Sequence, residues 1–259
     1  MIPLPNAPKI VKKEGNQAVF EIEALYPGYG ATIGNSLRRV LLSSLPGVAA
    51  TQMKIKGVAH EFSTIPGVIE DVISIMLNLK QLRFKVFSDE PQTGRIKIKG
   101  EKEVKGSDLE LPSQVELINK NCHIATLTSR TAELDMEITI EKGIGYSPRE
   151  ARKKEKLEIG VIPLDAIFTP VQKVSFKLEN MRVGERTDFD KITLEVETDG
   201  TLTPEKAFYE ASEILVNHFT LLFETFKEAA QKEEIKTAPA EKPKKKKTSE
   251  KKHEKKKKR

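Results

Sequence analysis

The sequence predicts an α+β fold in which two long amphipathic helices accompany strand-rich segments. Three observations lead to this prediction: helical spacing over residues 32–45, period-two alternation in many short segments between 82 and 140, and an apolar stripe at helical spacing from 204 to about 229. A chain of 259 residues with 38% hydrophobic content is long enough to bury a sizeable core. We therefore expect one or two folded domains.

The first predicted strand leads directly into the first predicted helix. Residues 17–25 place Phe20, Ile22 and Ala24 on one side of a strand, opposite polar side chains. After a glycine-rich turn, Thr32 is suited to cap a helix, and Pro46 followed by glycine is suited to end it. The segment 32–45 is therefore predicted to form a helix of about four turns.

This first helix has two unlike faces. One face is apolar and suits the core; it carries Ile33, Leu37, Val40, Leu41 and Ser44. The opposite face sets Leu42 among Asn35, Arg38 and Arg39, a mixture typical of a protein contact with an apolar centre and arginine anchors. Ordinary exposed surface is the other interpretation, because single exposed leucines and arginine pairs are common.

The middle of the chain is predicted to be rich in strands. A strand ending near Lys56, a short His60–Glu61–Phe62–Ser63 segment and a second helix precede it. That helix is indicated by the spacing of Val68, Val72, Ile75, Met76 and Leu79, with Glu70 and Asp71 in its first turn. Several short strands follow up to 140, then a polar basic loop over 143–156 that we expect to be mobile. Two further strands alternate toward one side, with Val174, Phe176 and Leu178 in the first and Ile192, Leu194 and Val196 in the second.

The last predicted helix begins with Thr203 as N-cap and Pro204 in its first turn. Its apolar arc covers roughly 220°, about twice what a helix packed on one side of a core needs. Pairing with the same helix of a second copy is one explanation, and burial within a larger monomeric core is the other. The stripe consists of Phe208, Ala211, Leu215, Phe219, Leu222 and Phe226, flanked by Ala207, Ile214, Leu221 and Phe223.

Charge is distributed unevenly along the chain. Residues 231–259 carry thirteen Lys and one Arg against five Glu, a net charge of +9, whereas residues 1–230 carry 30 basic and 33 acidic side chains, a net charge of −3. The tail has too few apolar residues to fold, so we predict a disordered Lys-rich tail. Its composition allows either non-specific binding of polyanions or a merely solvated end.

The sequence contains no residue pattern typical of a catalytic, metal-binding or nucleotide-binding site. Cys122 is the only cysteine and the four histidines are scattered, so no metal site and no cofactor are predicted. The glycines at 28, 30 and 34 match neither the dinucleotide fingerprint nor the P-loop, and they are interpreted as a tight strand-to-helix turn. No export signal or membrane span is apparent, which predicts a cytoplasmic protein without membrane contact.

Four segments of the sequence, taken in their order along the chain, resemble segments of one known family. The string GYGATIGNSLRRVLLSSLPG (28–47) is similar to the signature helix of the bacterial and plastid RNA polymerase alpha subunit family. VAHEFSTIPGVIEDVISIMLNLK (58–80), RTDFDKITLEVETDGTLTPEKA (186–207) and the long final helix match the same family in the same order. The resemblance covers essentially residues 3–230.

The resemblance implies a fold and a function. A dimerisation subdomain, built from a sheet and two long helices, comprises residues 1–46 and 164–230, and a β-rich subdomain of residues 47–163 is inserted into it. The homodimer is expected to act as a non-catalytic scaffold of DNA-directed RNA polymerase, a nucleotidyltransferase, by recruiting first the beta and then the beta-prime subunit. We expect a cytoplasmic, nucleoid-associated bacterial protein rather than one of the plastid stroma.

The resemblance also assigns roles to individual positions. Arg39 and Leu42, with Arg38 beside them, match residues needed for binding beta, and His60, Glu61, Phe62 and Ser63 match a segment placed near beta. Lys80 and Val171 match positions used toward beta-prime. The expected dimer interface comprises Tyr29, Ile33, Leu37, Leu41, Leu215, Phe219, Leu222 and Phe226.

One departure from the family pattern is large. The DNA-binding C-terminal domain usual in the family is not recognised in this sequence, and the Lys-rich tail occupies its place. Because lysines neutralise phosphates without reading base edges, promoter recognition is not expected to carry over. The alternative function is a standalone dimeric nucleic-acid-binding protein that acts through this tail, on DNA or RNA without sequence specificity.

Overall fold

A computed structural model describes the protein at residues 2–152, 158 and 160–237. The chain divides into two compact units, Met1–Val216 and Asn217–Arg259. The helices are α1 (Tyr29–Ser43), α2 (Val72–Leu79), α3 (Arg149–Arg152) and α4 (Pro204–Thr237). The strands are β1 (Lys9–Glu14), β2 (Gln17–Leu25), β3 (Pro46–Ile55), β4 (Phe84–Val86), β5 (Gln92–Lys99), β6 (Lys102–Lys105), β7 (Val115–Leu117), β8 (His123–Leu127), β9 (Glu133–Ile144), β10 (Tyr146–Ser147), β11 (Val161–Pro163), β12 (Ala166–Ile167), β13 (Val171–Val183) and β14 (Arg186–Thr198). The predicted α+β class is confirmed.

One four-stranded antiparallel sheet has the order β1-β2-β14-β13. It pairs strands from the two ends of the first unit, because β2 lies directly beside β14. In the β13–β14 ladder, Phe176 is opposite Leu194 and Leu178 is opposite Ile192. Directly opposite residues share one face of a sheet, so the predicted alternation of these two strands is confirmed.

The alternation predicted for β2 holds only to Ile22. Ala24 has a positive φ of 60° and its backbone N–H contacts the sulfur of Met181 at 3.0 Å. The irregular residue shifts the strand by one position, so Leu25 is buried in place of Ala24. The placement of Ala24 on the core face was therefore wrong.

Helix α1 begins three residues earlier than predicted. Gly28 and Gly30 each donate a backbone N–H to Asp190 Oδ2 at 2.9 Å, and Asp190, on β14, is only 6% exposed. A buried carboxylate distant in sequence thus satisfies the N–H groups at the helix start, and Thr32 is not the cap. A Cβ at Gly30 would collide with Leu178 Cδ1 and lie 2.9 Å from the Asp190 carboxylate, so the glycine permits this close approach.

Asp190→Ala is expected to lower the free energy of unfolding by about 2 kcal/mol, since the buried Gly30 N–H and the partly buried Gly28 N–H both lose their acceptor. Urea denaturation measures this. Asp188→Ala is the matched control, because Asp188 pairs with Arg186 with more than half of its side chain exposed, and we expect little change in the free energy of unfolding. Equal effects of the two substitutions would contradict the capping role.

A second four-stranded sheet, of order β11-β3-β9-β5, forms the middle of the chain together with the two-stranded pairs β4–β7, β6–β8 and β10–β12. The predicted second helix, α2, begins at Val72, where Asp71 accepts the Ser74 N–H at 2.8 Å. The prediction that Val68 and Glu70 belong to this helix was wrong. Val68 bridges to Leu127 in the strands, and Glu70 accepts the N–H of Thr126 at 2.6 Å.

Two clusters of buried apolar side chains stabilise the first unit. One is drawn from positions 50–164 and includes α2, and the other is drawn from 18–45 and 171–211 and includes α1 and the start of α4. In the second cluster, Phe208 of α4 stacks on Phe20 of β2 with ring centroids 4.8 Å apart. The first turns of α4 are therefore packed on the same sheet as α1.

Helix α4 is longer than predicted. It begins as expected at Pro204, with Thr203 Oγ1 accepting the Lys206 N–H at 3.4 Å, but it continues to Thr237 rather than ending near Ala229. Residues 230–237 are mostly Ala, Gln, Lys and Glu, which have high helix propensity, so helix persists where the apolar stripe stops. The predicted disordered tail therefore does not begin at 231, and its remainder from 238 lies outside the described residues.

The basic loop predicted over 143–156 is partly ordered. Tyr146 and Ser147 pair with Ile167 and Ala166 in a short antiparallel ladder, and α3 follows. Residues 153–157 lie outside the described part of the chain. In the part described, no helix is both long and apolar enough to cross a membrane.

Candidate protein-interaction site

The outer face of α1 exposes the residues that the sequence singled out. Arg38 and Arg39 are exposed, and Leu42 is 38% exposed, while Leu37 and Leu41 on the opposite face are buried in the core. Gly34 lies close to the ring of Phe176, so α1 packs tightly on β13. The helix therefore holds its outer side chains on a rigid support.

The two arginines on this face are not neutralised by the chain. Arg38 donates to the side-chain oxygen of Asn35 at 3.4 Å, and within residues 2–152, 158 and 160–237 neither arginine forms an ion pair. Exposed arginines beside an apolar side chain suit recognition of a partner carboxylate. The face has the chemistry of a contact with another protein.

The segment of residues 60–63 lies beside the start of α2. Ser63 accepts the Val72 N–H at 3.3 Å, and its hydroxyl lies 3.2 Å from His60 Nδ1. Phe62 is 77% exposed, which is unusual for a phenylalanine. This segment is thus an ordered loop that presents an aromatic side chain to solvent.

Lys80 is joined to this loop by a network of two ion pairs linked by one backbone hydrogen bond. Its ammonium lies 2.9 Å from Asp165 Oδ2, Asp165 Oδ1 accepts the Arg149 N–H at 3.0 Å, and Arg149 reaches Glu61 at 3.0 Å. The structure therefore brings together Glu61 and Lys80, which the sequence assigned to different partners. Val171, the other position assigned to beta-prime, is buried at 4% exposure.

Asp165 gives this network a dependence on pH. The hydrogen bond from Lys80, together with the Arg149 N–H, lowers the pKa of the Asp165 carboxyl below its ordinary value of 3.8. A lowered pKa in the folded state means that the carboxylate stabilises the fold above pH 3.8, and this contribution is lost as pH falls through the folded-state pKa.

The variant Asp165→Asn is expected to be less stable than the parent chain at pH 7, and the difference should shrink as pH falls below about 4. Urea denaturation at several pH values measures it. The control is Asp89→Asn, which breaks a Lys142 pair of 2.7 Å at a fully exposed carboxyl, where little effect is expected. A difference for Asp165→Asn that stays constant down to pH 3 would refute the assignment.

The residues predicted for a dimer contact differ in exposure. In the first unit, Tyr29 is 43% exposed and packs edge-on against Tyr26, with ring centroids 6.1 Å apart, whereas Ile33 and Leu215 are half-buried. Leu37 and Leu41 are 5% and 0% exposed, so they support α1 from inside the protomer and have almost no surface for a second chain.

The second unit presents a helical surface with many large apolar side chains. Phe219, Leu222 and Phe226 are 61%, 53% and 67% exposed, and Leu221 and Phe223 beside them are exposed to a similar degree. Contiguous apolar surface of this kind marks interaction sites in soluble proteins. Among the side chains described, no group of three His, Cys, Asp or Glu residues could hold a metal ion.

Comparison of the sequence with known proteins identifies the family of the chain. The model of the RNA polymerase Rpb3/RpoA insert domain matches residues 53–169. The DNA-directed RNA polymerase subunit alpha of Oceanobacillus iheyensis is 49% identical over 216 residues, which cover 83% of this chain and 68% of that protein. The chain belongs to the RNA polymerase alpha subunit family.

Two other relatives in the family are similarly close. The alpha subunit of Carboxydothermus hydrogenoformans is 50% identical over 88% of this chain and 73% of its own length, and that of a Roseiflexus species is 46% identical over 89% and 71%. The matched insert domain contains the loop of residues 60–63, Lys80 and the Asp165 network, whereas α1 and Val171 lie outside it.

The sequence did not predict three of the residues that organise these surfaces. Asp190 caps a helix about 160 residues earlier, and Asp165 with Arg149 links Glu61 to Lys80. Each is one charged residue among many, and its role depends on segments that meet only after folding. No local pattern distinguishes them.

Proposed function

We propose that the chain is the alpha subunit of a DNA-directed RNA polymerase, which forms a homodimer, scaffolds assembly of the beta and beta-prime subunits and carries no active site itself. The observation that carries this proposal is the rigid outer face of α1, where Leu42 is exposed beside two arginines without ion pairs. The names of the relatives support it, since each is a DNA-directed RNA polymerase subunit alpha.

The proposed domain division follows the two apolar clusters except at Leu164, which packs in the cluster of the inserted subdomain. Residues 1–46 and 164–230 would form the dimerisation subdomain around the cluster that contains α1, and residues 47–163 would form the inserted subdomain around the other cluster. Pairing of β2 with β14 supports a single subdomain built from distant parts of the chain.

Dimerisation is proposed through the apolar stripe of α4. Its exposed phenylalanines and leucines would be costly to leave in water, and a second copy provides a self-complementary surface. Tyr29 and Ile33 contribute the part of the contact that comes from α1. Leu37, Leu41 and the half-buried Leu215 act by fixing the helices rather than as the main contact surface.

A two-fold dimer presents the same outer surface on both protomers. The protomers therefore differ only in which large subunit each of them contacts. We propose that Arg38, Arg39, Leu42 and the segment of residues 60–63 contact beta on one protomer. Lys80 contacts beta-prime on the other protomer, where its ion pair with Asp165 holds the ammonium in place. Val171 influences that contact from the core.

Reconstitution tests the proposed function. The chain is co-expressed with its cognate beta and beta-prime subunits, and the molar mass of the purified complex is measured by sedimentation equilibrium. We expect two copies of this chain for each beta and beta-prime. Recovery of the chain without either large subunit would overturn the proposal. No contact of the described residues favours the standalone nucleic-acid-binding alternative, whose basic tail lies largely outside them.

A further inference from the structure

An exposed apolar patch lies where β9 ends and β10 pairs with β12. Ile144 and Tyr146 are each 61% exposed and Ile167 is 51% exposed. Tyr146 and Ile167 are directly opposite in the ladder, which places their side chains about 5 Å apart on one face. The neighbouring Ala166 is fully buried, so the register turns Ile167 outward. We call Ile144, Tyr146 and Ile167 the hairpin patch.

The hairpin patch adjoins the end of α1. A Cβ placed on Gly145, between the first two residues of the patch, would lie 3.2 Å from the carbonyl oxygen of Ser43. The Thr169 hydroxyl, two residues after Ile167, donates to the Leu42 carbonyl at 3.2 Å. These contacts join the backbone of the patch directly to the last turn of the helix that exposes Leu42.

We propose that the hairpin patch and the outer face of α1 form one continuous docking surface for a single partner, the beta subunit. The inference rests on the proposed function and extends its contact beyond the helix to the hairpin patch, in which Ile144 and Tyr146 belong to the inserted subdomain and Ile167 to the dimerisation subdomain. The surface has an apolar area at one end and two cationic side chains at the other. It fits an apolar segment of the partner bordered by carboxylates.

The charge of the surface favours the beta subunit as its occupant over the basic C-terminal tail of the chain itself. Residues 231–259 carry a net charge of +9 and have almost no apolar side chains, so Arg38 and Arg39 would repel them and the hairpin patch would gain nothing. An acidic and apolar partner satisfies both ends of the surface. Contiguous exposed apolar residues beside arginine anchors are typical of interface centres.

The test compares the full chain with a Tyr146→Ser/Ile167→Ser variant in capture of the purified cognate beta subunit. We expect the affinity to fall about tenfold or more, since both apolar contacts are truncated. Because the two side chains are mostly exposed, the thermal unfolding temperature should change little. Val11→Ser is the matched control, as Val11 is 60% exposed on the edge strand β1, and its affinity should equal that of the parent chain.

The outcomes separate this inference from the proposed function. If the parent chain captures beta and the double variant captures it equally well, the hairpin patch is not part of the docking surface. If the double variant loses beta only because sedimentation shows that its dimer has dissociated, the occupant is a second copy and the inference is overturned. If the parent chain itself captures no beta, the proposed function fails, and the inference, which names beta as the occupant, is overturned with it.

Discussion

Arg39→Ala is expected to yield a folded dimer that no longer retains the beta subunit. Arg39 is exposed on α1 and forms no ion pair within the described residues, so its removal leaves the protomer intact. A partner carboxylate buried against it would lose its counter-charge. Truncation of such an anchor costs about 2 kcal/mol or more, which weakens binding about thirtyfold.

Capture of purified beta over a range of chain concentrations measures this effect. The control is Arg130→Ala, because Arg130 is also exposed but lies in the turn before β9. Both variants should unfold at the same temperature as the parent chain. Normal retention of beta by the Arg39 variant would exclude the outer face of α1 as the proposed contact.

Leu222→Asp is expected to produce monomers. Leu222 is 53% exposed in the isolated chain, and the proposed dimer would bury it against the same stripe of a second α4. An unpaired carboxylate in such an interface costs about 3 kcal/mol or more, enough to weaken association over a hundredfold. The substitution should leave the first unit folded, because its apolar clusters do not include Leu222.

Sedimentation velocity at several concentrations distinguishes monomer from dimer. Thr220→Asp adds the same charge to the same helix turn but away from the stripe, and it should leave association unchanged. If Leu222→Asp remains dimeric at low concentration, the α4 stripe is not the interface. If both variants dissociate, charge near this turn matters rather than the stripe.

The elements that the sequence predicted well are those with a strong local period. The body of α2 and the facing residues of β13 and β14 follow from spacing, since burial of one face imposes that spacing. The start of α4 follows from its capping residues Thr203 and Pro204. The exposed face of α1 was likewise recognised from its mixture of Leu42 with arginines. Such features need only the geometry of one helix or strand.

The predictions failed where a distant segment decides the local structure. Asp190 extends α1 by three residues, and the positive φ of Ala24, whose N–H contacts Met181, shifts β2. The continuation of α4 beyond its apolar stripe has a local cause instead, the high helix propensity of residues 230–237. The hairpin patch is also not detectable from local sequence, because Tyr146 and Ile167 are 21 positions apart and meet only through the β10–β12 ladder. Contacts between remote residues leave no period in the sequence.

The sequence by itself determined the α+β class, the family and the chemical character of the surfaces. These depend on residue types and on periods that repeat within a few positions. Only the tertiary structure decided which of the candidate residues are accessible: Leu42 and Phe62 are exposed, while Leu41 and Val171 are buried and Lys80 is paired with Asp165. The accessibility of a side chain depends on the residues packed around it, and those residues come from distant parts of the sequence.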